Sequence, residues 1–141
     1  MIIFIQPEIY INNMCFYLKN QNDNFKIADK DIICFKIVRK TDRSNIFKSN
    51  SLGFKYIIGV KYSNISFLVK KEIKEVKDCK VIEQGYHSFS ILTTSANIVL
   101  ARDKDYYRCV VKCIIPIGSM YYENDETKEY VSNQIIIKEI L

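Results

Sequence analysis

The sequence predicts an α+β fold, in which one main helix packs on an antiparallel or mixed β-sheet. Runs rich in β-branched and aromatic residues, such as 32–39 and 107–115, predict strands separated by polar loops. From Ser90 the period changes, and Leu92, Ala96 and Leu100 recur at helical spacing. A length of 141 residues favours a single domain.

The order of elements follows from the same patterns. Residues 1–30 are predicted to form an N-terminal strand extension that ends in an Asn- and Asp-rich loop at 19–31, and residues 31–141 to form the core. The main helix is predicted at about 90–102, with Ser88 or Ser90 as its N-cap. The core strands are predicted at 32–39, 53–62, 66–69, 81–83, 107–115 and 130–140.

The charge indicates the class of partner. A net charge of +5 favours an anionic ligand. The densest cationic stretch, 70–77, mixes Lys with Glu and is typical of a solvated surface. Nucleic acid is therefore an unlikely partner, because a phosphate-tracking surface concentrates one sign of charge. No apolar run reaches the length of a membrane span, so no membrane partner is expected.

Five cysteines are an odd number and none has the paired spacing of a zinc site. Cys109 and Cys113 would share one strand face as small core residues. Reduced thiols and the lack of a signal peptide predict a cytoplasmic protein, in the host cytoplasm if the protein is viral. No metal or cofactor is predicted, and the oligomeric state stays open, a homo-oligomer included.

The segment 85–89 contains His87, the only histidine. A turn at Gly85 that leads into a helix would direct free backbone N–H groups at an anion. On this interpretation His87, Phe89 and Asn97 line a ligand pocket. The alternative is an ordinary strand-to-helix connection with a hydrogen-bonded histidine.

A second candidate surface combines aromatic rings with cations. Aromatic stacking together with a guanidinium on phosphate is a common way to hold a nucleotide. Arg108 and Tyr121 bracket one long strand and its turn, while Arg39 and Tyr56 come from an earlier pair of strands. The alternative is that these tyrosines are simply strand residues. The predicted ligand-binding residues are His87, Phe89, Asn97, Arg108, Arg39, Tyr56 and Tyr121.

No catalytic residues are predicted. No base lies at a sequence spacing that would place it beside Ser88 or Ser90, and Cys79 and His87 are eight residues apart without any pattern that joins them.

Residues 33–141 resemble small phage-type proteins in size, order of elements and short strings. The strings are those at 34–39, 53–56, 85–89 and 113–119. Some of these resemble anti-defence proteins that bind nucleotide immune signals, such as the Thoeris anti-defence proteins, which sequester cyclic ADP-ribose isomers without degrading them. The resemblance implies a binding protein for a nucleotide immune signal.

A more distant similarity is to the ADP-ribosyltransferase core. The segments 88–90, 115–118 and 134–139 echo its Ser-bearing strand, its Ile-Pro-x-Gly strand end and its final strand with the catalytic glutamate. In those enzymes Glu or Gln stands two residues before that glutamate, whereas Ile137 stands two before Glu139 here. The similarity thus implies an eroded active site.

The function expected from the sequence is a non-catalytic viral anti-defence protein that sequesters a small nucleotide-like signal. The alternatives are an ADP-ribosyltransferase-like enzyme and a protein-binding inhibitor such as an anti-CRISPR protein.

Overall fold

A computed structural model describes residues 16–18, 25–49, 54–63, 69–72, 79–82, 85–93 and 108–141. Thirteen β-strands lie in these ranges. They are β1 (Phe16–Leu18), β2 (Lys26–Ile27), β3 (Ile32–Lys40), β4 (Ile46–Ser49), β5 (Lys55–Ile57), β6 (Lys61–Ser63), β7 (Val69–Glu72), β8 (Cys79–Ile82), β9 (Tyr86–Phe89), β10 (Arg108–Ile115), β11 (Met120–Asn124), β12 (Glu129–Ser132) and β13 (Gln134–Ile140).

The predicted α+β class is wrong, because the described chain is nearly all antiparallel sheet. Of the helix predicted at 90–102, only Leu92 and Thr93 are helical in the described ranges, and residues 94–102 lie outside them. The segment read as a turn entering that helix is strand β9, with all four residues buried. Its pairing with β12 on one edge and β3 on the other explains the strand conformation.

Ten strands form the larger sheet, in which the order β2-β11-β12-β9-β3-β10-β13-β6 is joined by antiparallel pairs. Strand β3 is the branch point. One edge pairs with β10 along its length, while the other pairs with β9 at Phe35 and with β4 from Val38 onward. Strand β5 continues the branch beyond β4. Strands β1, β8 and β7 form a separate three-stranded sheet.

Several predicted strands are confirmed, with corrected ends. β3 and β10 match the segments 32–39 and 107–115. The segment 53–62 is two strands, because a turn separates β5 from β6 at Gly59, whose φ of 83° favours glycine. The segment 130–140 is divided into β12 and β13 at Asn133. Within the extension predicted at 1–30, β2 pairs with β11 and so belongs to the larger sheet.

Period-2 alternation on β10 places the core. Cys109, Val111, Cys113 and Ile115 are buried, and the residues between them are half-buried. The face that carries these four residues is the core face, and the opposite one is here named the second face. Full burial of one large apolar side chain contributes roughly 1.5–3 kcal/mol. Other core members are Cys34, Val38, Phe47, Tyr56, Tyr62, Tyr86, Ile135 and Ile137.

Candidate functional site

Four cationic residues occupy directly opposite positions on four neighbouring strands. Arg108 of β10 pairs with Arg39 of β3, Arg39 pairs with Lys48 of β4, and Lys48 pairs with Lys55 of β5. Directly opposite residues project to one side of a sheet, so these four side chains share the second face. With neighbouring strands about 4.8 Å apart, their backbones span roughly 14 Å. We name these four residues the basic row.

The charge of the basic row is concentrated. Arg39, Lys48 and Lys55 are exposed and Arg108 is half-buried. Within the described ranges, no carboxylate forms an ion pair with Lys48 or Lys55. Like charges directly opposite one another on paired strands disfavour folding. The arrangement therefore attracts anions at some expense to stability.

A cavity of about 540 Å³ adjoins the β4 and β5 end of the row. Its volume falls within the range of small-molecule sites. Four of its lining residues are cations and one, Asp42, is a carboxylate. The lining residues are Lys40, Thr41, Asp42, Arg43, Ile46, Lys48 and Lys55. We name this space the hairpin cavity.

The loop that forms one wall of the hairpin cavity is held by Thr41. Its hydroxyl oxygen accepts a hydrogen bond from the Arg43 backbone N–H at 3.2 Å and lies 2.7 Å from the Ile46 carbonyl, to which it can donate. The Ile46 N–H donates to the Arg43 carbonyl at 3.3 Å. These contacts fix the backbone on both sides of Arg43, so the wall is ordered before a ligand arrives.

Aromatic rings support strand β5 from the core face. The ring centroids of Tyr56 and Tyr62 lie 5.3 Å apart, and Phe54 contacts both rings edge-on. The Ile57 N–H donates to the Tyr62 hydroxyl at 2.7 Å. Burial raises the pKa of Tyr62, and the Ile57 hydrogen bond lowers it by less. Tyr56, predicted to contact ligand, is only 1% exposed and belongs to this support.

His87 and Phe89 lie on β9 and do not line the hairpin cavity. His87 Nε2 is 2.6 Å from Glu129 Oε2, and the His87 and Phe89 rings are in edge contact at 5.7 Å. The His87 carbonyl accepts a hydrogen bond from buried Lys36 Nζ at 2.7 Å. The ring Nε2 and the backbone carbonyl of His87 are thus both engaged in contacts within the protein.

A second group of reactive side chains is buried in the core. Cys34 and Cys113 are directly opposite on β3 and β10, and both are fully buried. Burial raises the pKa of the Cys34 thiol, but the Cys113 and Ser88 side chains and the Lys36 charge together lower it below its usual value. The Ser88 hydroxyl makes no hydrogen bond of standard geometry in the described chain, so its effect on the thiol is that of a polar contact.

The structure brings together two of the predicted binding residues, Arg39 and Arg108, as direct neighbours in the basic row. Tyr121 lies on β11, four strands along the sheet from β10, and its ring contacts that of Tyr130. Asn97 lies outside the described residues. The sequence did not point to Lys48, whose place depends on the register of the β3–β4 hairpin.

The residues of the ADP-ribosyltransferase similarity are separated in the sheet. Ser88 lies on the core face of β9, whereas Glu139 lies on the second face of β13, with its carboxylate 3.8 Å from Lys112 Nζ. Strands β3 and β10 lie between them. In the described chain these two residues therefore do not converge on one site.

In the ranges that the structure covers, no group of three His, Cys, Asp or Glu side chains is placed to hold a metal ion. Nor does any helix there have the length and apolarity to cross a membrane. Comparisons of the chain with protein-family models, curated proteins and solved structures found no match.

Proposed function

We propose that this protein binds a small nucleotide-like anion and sequesters it without chemical change. The observation that carries the proposal is the continuity of the basic row with the hairpin cavity, through Lys48 and Lys55, which belong to both. A cavity supplies enclosure for a small molecule, and a row of cations supplies attraction for phosphate.

The residue types suit phosphate. Guanidinium groups such as those of Arg39 and Arg43 bind phosphate oxygens through two parallel hydrogen bonds, and lysine ammonium groups act as compact point charges. The described chain offers both kinds side by side. The resemblance to phage anti-defence proteins supplies the biological part of the proposal, namely that the ligand is an immune signal and that its capture is the function.

Binding without turnover is favoured by the chemistry of the cavity wall. Its single carboxylate, Asp42, stands among four cations, and the Thr41 hydroxyl is occupied by backbone contacts. Two described groups of the kind that serve as base or nucleophile, His87 and Cys34, are buried away from the cavity and engaged by neighbours. A general base must reach the proton that it removes, and neither side chain lines this cavity.

Calorimetric titration with cyclic nucleotides and cyclic ADP-ribose isomers, followed by chromatography of the released ligand, tests the proposal. We expect binding that weakens as salt is added, with the ligand recovered intact. The double variant Lys48→Ala, Lys55→Ala should lose binding. The matched control is Lys61→Ala with Lys138→Ala, which removes the same charge from exposed positions outside the row. Equal affinities in both double variants would contradict the proposal.

A further inference from the structure

The hairpin cavity contains one carboxylate, that of Asp42, among the four cations Lys40, Arg43, Lys48 and Lys55. Asp42 is exposed. Within the described ranges its side chain forms neither an ion pair with any of these cations nor a hydrogen bond. Both carboxylate oxygens are therefore available to accept hydrogen bonds from a ligand.

A carboxylate does not help a cavity to bind phosphate alone. Its negative charge repels a bound phosphate, so a site for inorganic phosphate gains nothing from Asp42. The cavity volume of about 540 Å³ is that of a site for a whole small molecule. A ligand that fills this space has room for an uncharged part beside Asp42 as well as for a phosphate.

The strand lysines provide the place for the phosphate. Lys48 and Lys55 are directly opposite on β4 and β5. With these strands about 4.8 Å apart, both ammonium groups can contact one phosphate. Asp42 lies in the loop between β3 and β4, beyond the last pair of their ladder, which is Lys40 with Phe47. The strand cations and the loop carboxylate thus occupy different parts of one cavity.

The position of Asp42 is fixed by its neighbours in the loop. The Thr41 hydroxyl accepts a hydrogen bond from the Arg43 N–H at 3.2 Å, which closes a turn around Asp42. A carboxylate on a fixed turn needs little further ordering when a ligand binds.

We infer that Asp42 binds the adjacent hydroxyl groups of a ribose, and that the ligand is a ribonucleotide whose sugar hydroxyls carry no phosphate. This inference rests on the proposed function. A carboxylate is an acceptor, and hydrogen bonds from hydroxyls to it are short and strong. In a nucleotide the sugar is the part joined to the phosphate, and its two adjacent hydroxyls match the two carboxylate oxygens. Dinucleotide-binding folds use an acidic residue on the ribose in the same way.

Calorimetric titration with ribonucleoside diphosphates and the matching dideoxynucleoside diphosphates tests the assignment. Wild-type protein should bind the ribose form about tenfold or more tightly. Asp42→Ala should bind both forms equally. It should also bind pyrophosphate more tightly than wild type does, because the repulsion from the carboxylate is gone. A merely structural role of Asp42 would weaken the binding of all these ligands together.

The matched control is Asp29→Ala, which removes the same charge from an exposed position outside the cavity. It should keep both the preference for ribose and the affinity for pyrophosphate. Asp42→Asn retains one acceptor oxygen, so it should keep part of the preference for ribose while it gains affinity for pyrophosphate. Circular dichroism confirms folding of each variant.

The outcomes separate this inference from the proposed function. If wild-type protein binds ribose and dideoxyribose forms equally, or if Asp42→Ala weakens pyrophosphate binding, the role of Asp42 is wrong. Anion binding at the cavity still stands in that case, provided that it is lost in the variant Lys48→Ala, Lys55→Ala. If neither nucleotides nor pyrophosphate bind in a salt-dependent way, both the inference and the proposed function are wrong.

Discussion

His87 and Glu129 form a pair across strands β9 and β12, with Nε2 and Oε2 separated by 2.6 Å. The His87 side chain is 6% exposed and that of Glu129 21%. Because Glu129 is directly opposite Phe89, the contact is a diagonal one between neighbouring cross-strand pairs on the second face. His87, which the sequence predicted to contact a ligand, therefore contacts Glu129 within the protein.

Removal of Glu129 should destabilise the protein, because the His87 ring stays buried without this hydrogen bond. We expect Glu129→Ala to lower the free energy of unfolding by about 1–3 kcal/mol. In urea denaturation, the double variant His87→Phe, Glu129→Ala should lose less than the sum of the two single variants. Strictly additive losses would show that the two side chains do not interact in solution.

Lys128 holds a left-handed backbone conformation, with φ of 59°, at the end of the β11–β12 turn. Its carbonyl accepts a hydrogen bond from the Ser90 N–H at 2.8 Å, which fixes the conformation. Asparagine tolerates this region better than lysine. We therefore expect Lys128→Asn to raise the free energy of unfolding by about 0.5–1 kcal/mol, since the lost ion pair to exposed Asp125 contributes little.

The neighbouring substitution Thr127→Asn is the matched control for Lys128→Asn, because the φ of Thr127 is not positive. It should leave the midpoint of thermal unfolding nearly unchanged. A gain of stability in the control, or none in Lys128→Asn, would remove backbone strain as the cause.

Burial, helped by the negative charge of Glu123, raises the pKa of Tyr130 to about 12 from an ordinary value of 10.0. The raised value means that the folded state favours the protonated phenol. This contribution to stability is fully present below about pH 10 and is lost as the pH rises through about 12. Wild-type protein should therefore lose stability over this interval more steeply than Tyr130→Phe, as measured by chemical denaturation at each pH. Parallel curves would contradict this assignment.

The sequence was informative for features that depend on a single strand and not on the register between strands. Runs of β-branched and aromatic residues predicted both β3 and β10, and they placed Arg39 and Arg108 near strand ends. The basic row could not be predicted, because Arg39 and Arg108 are far apart in sequence and meet only through the register of the sheet. One residue of slippage in the β3–β4 hairpin would turn Lys48 to the core face.

The predicted fold class was wrong for a related reason. The segment at Gly85 has a turn signal, yet β9 is fixed by pairing on both edges, which no local pattern reveals. His87 and Ser88 are polar and still buried, because one meets Glu129 and the other faces the core beside Cys34. Tertiary pairing decided the conformation here against the local propensity.

Lys48 lies between two cations, Arg39 and Lys55, on the second face. A carboxylate at this position would be flanked by opposite charges. We therefore expect Lys48→Glu to stabilise the fold by about 0.5–1 kcal/mol through two favourable cross-strand pairs, while it abolishes anion binding. Thermal unfolding and calorimetric titration on the same sample measure both effects. A gain in stability together with a loss of binding would show that Lys48 serves anion binding at the expense of stability.

The control for Lys48→Glu is Lys61→Glu, which changes the net charge equally but lies opposite Ile136 instead of a cation. It should alter neither stability nor affinity by a comparable amount. If Lys48→Glu were less stable than wild type at low salt, the four cations would not repel one another as their register requires. If it bound anions normally, the basic row would not be the binding surface. Because screening weakens exposed charge pairs, the stability gain should shrink as salt is added, whereas a gain from altered strand propensity would not.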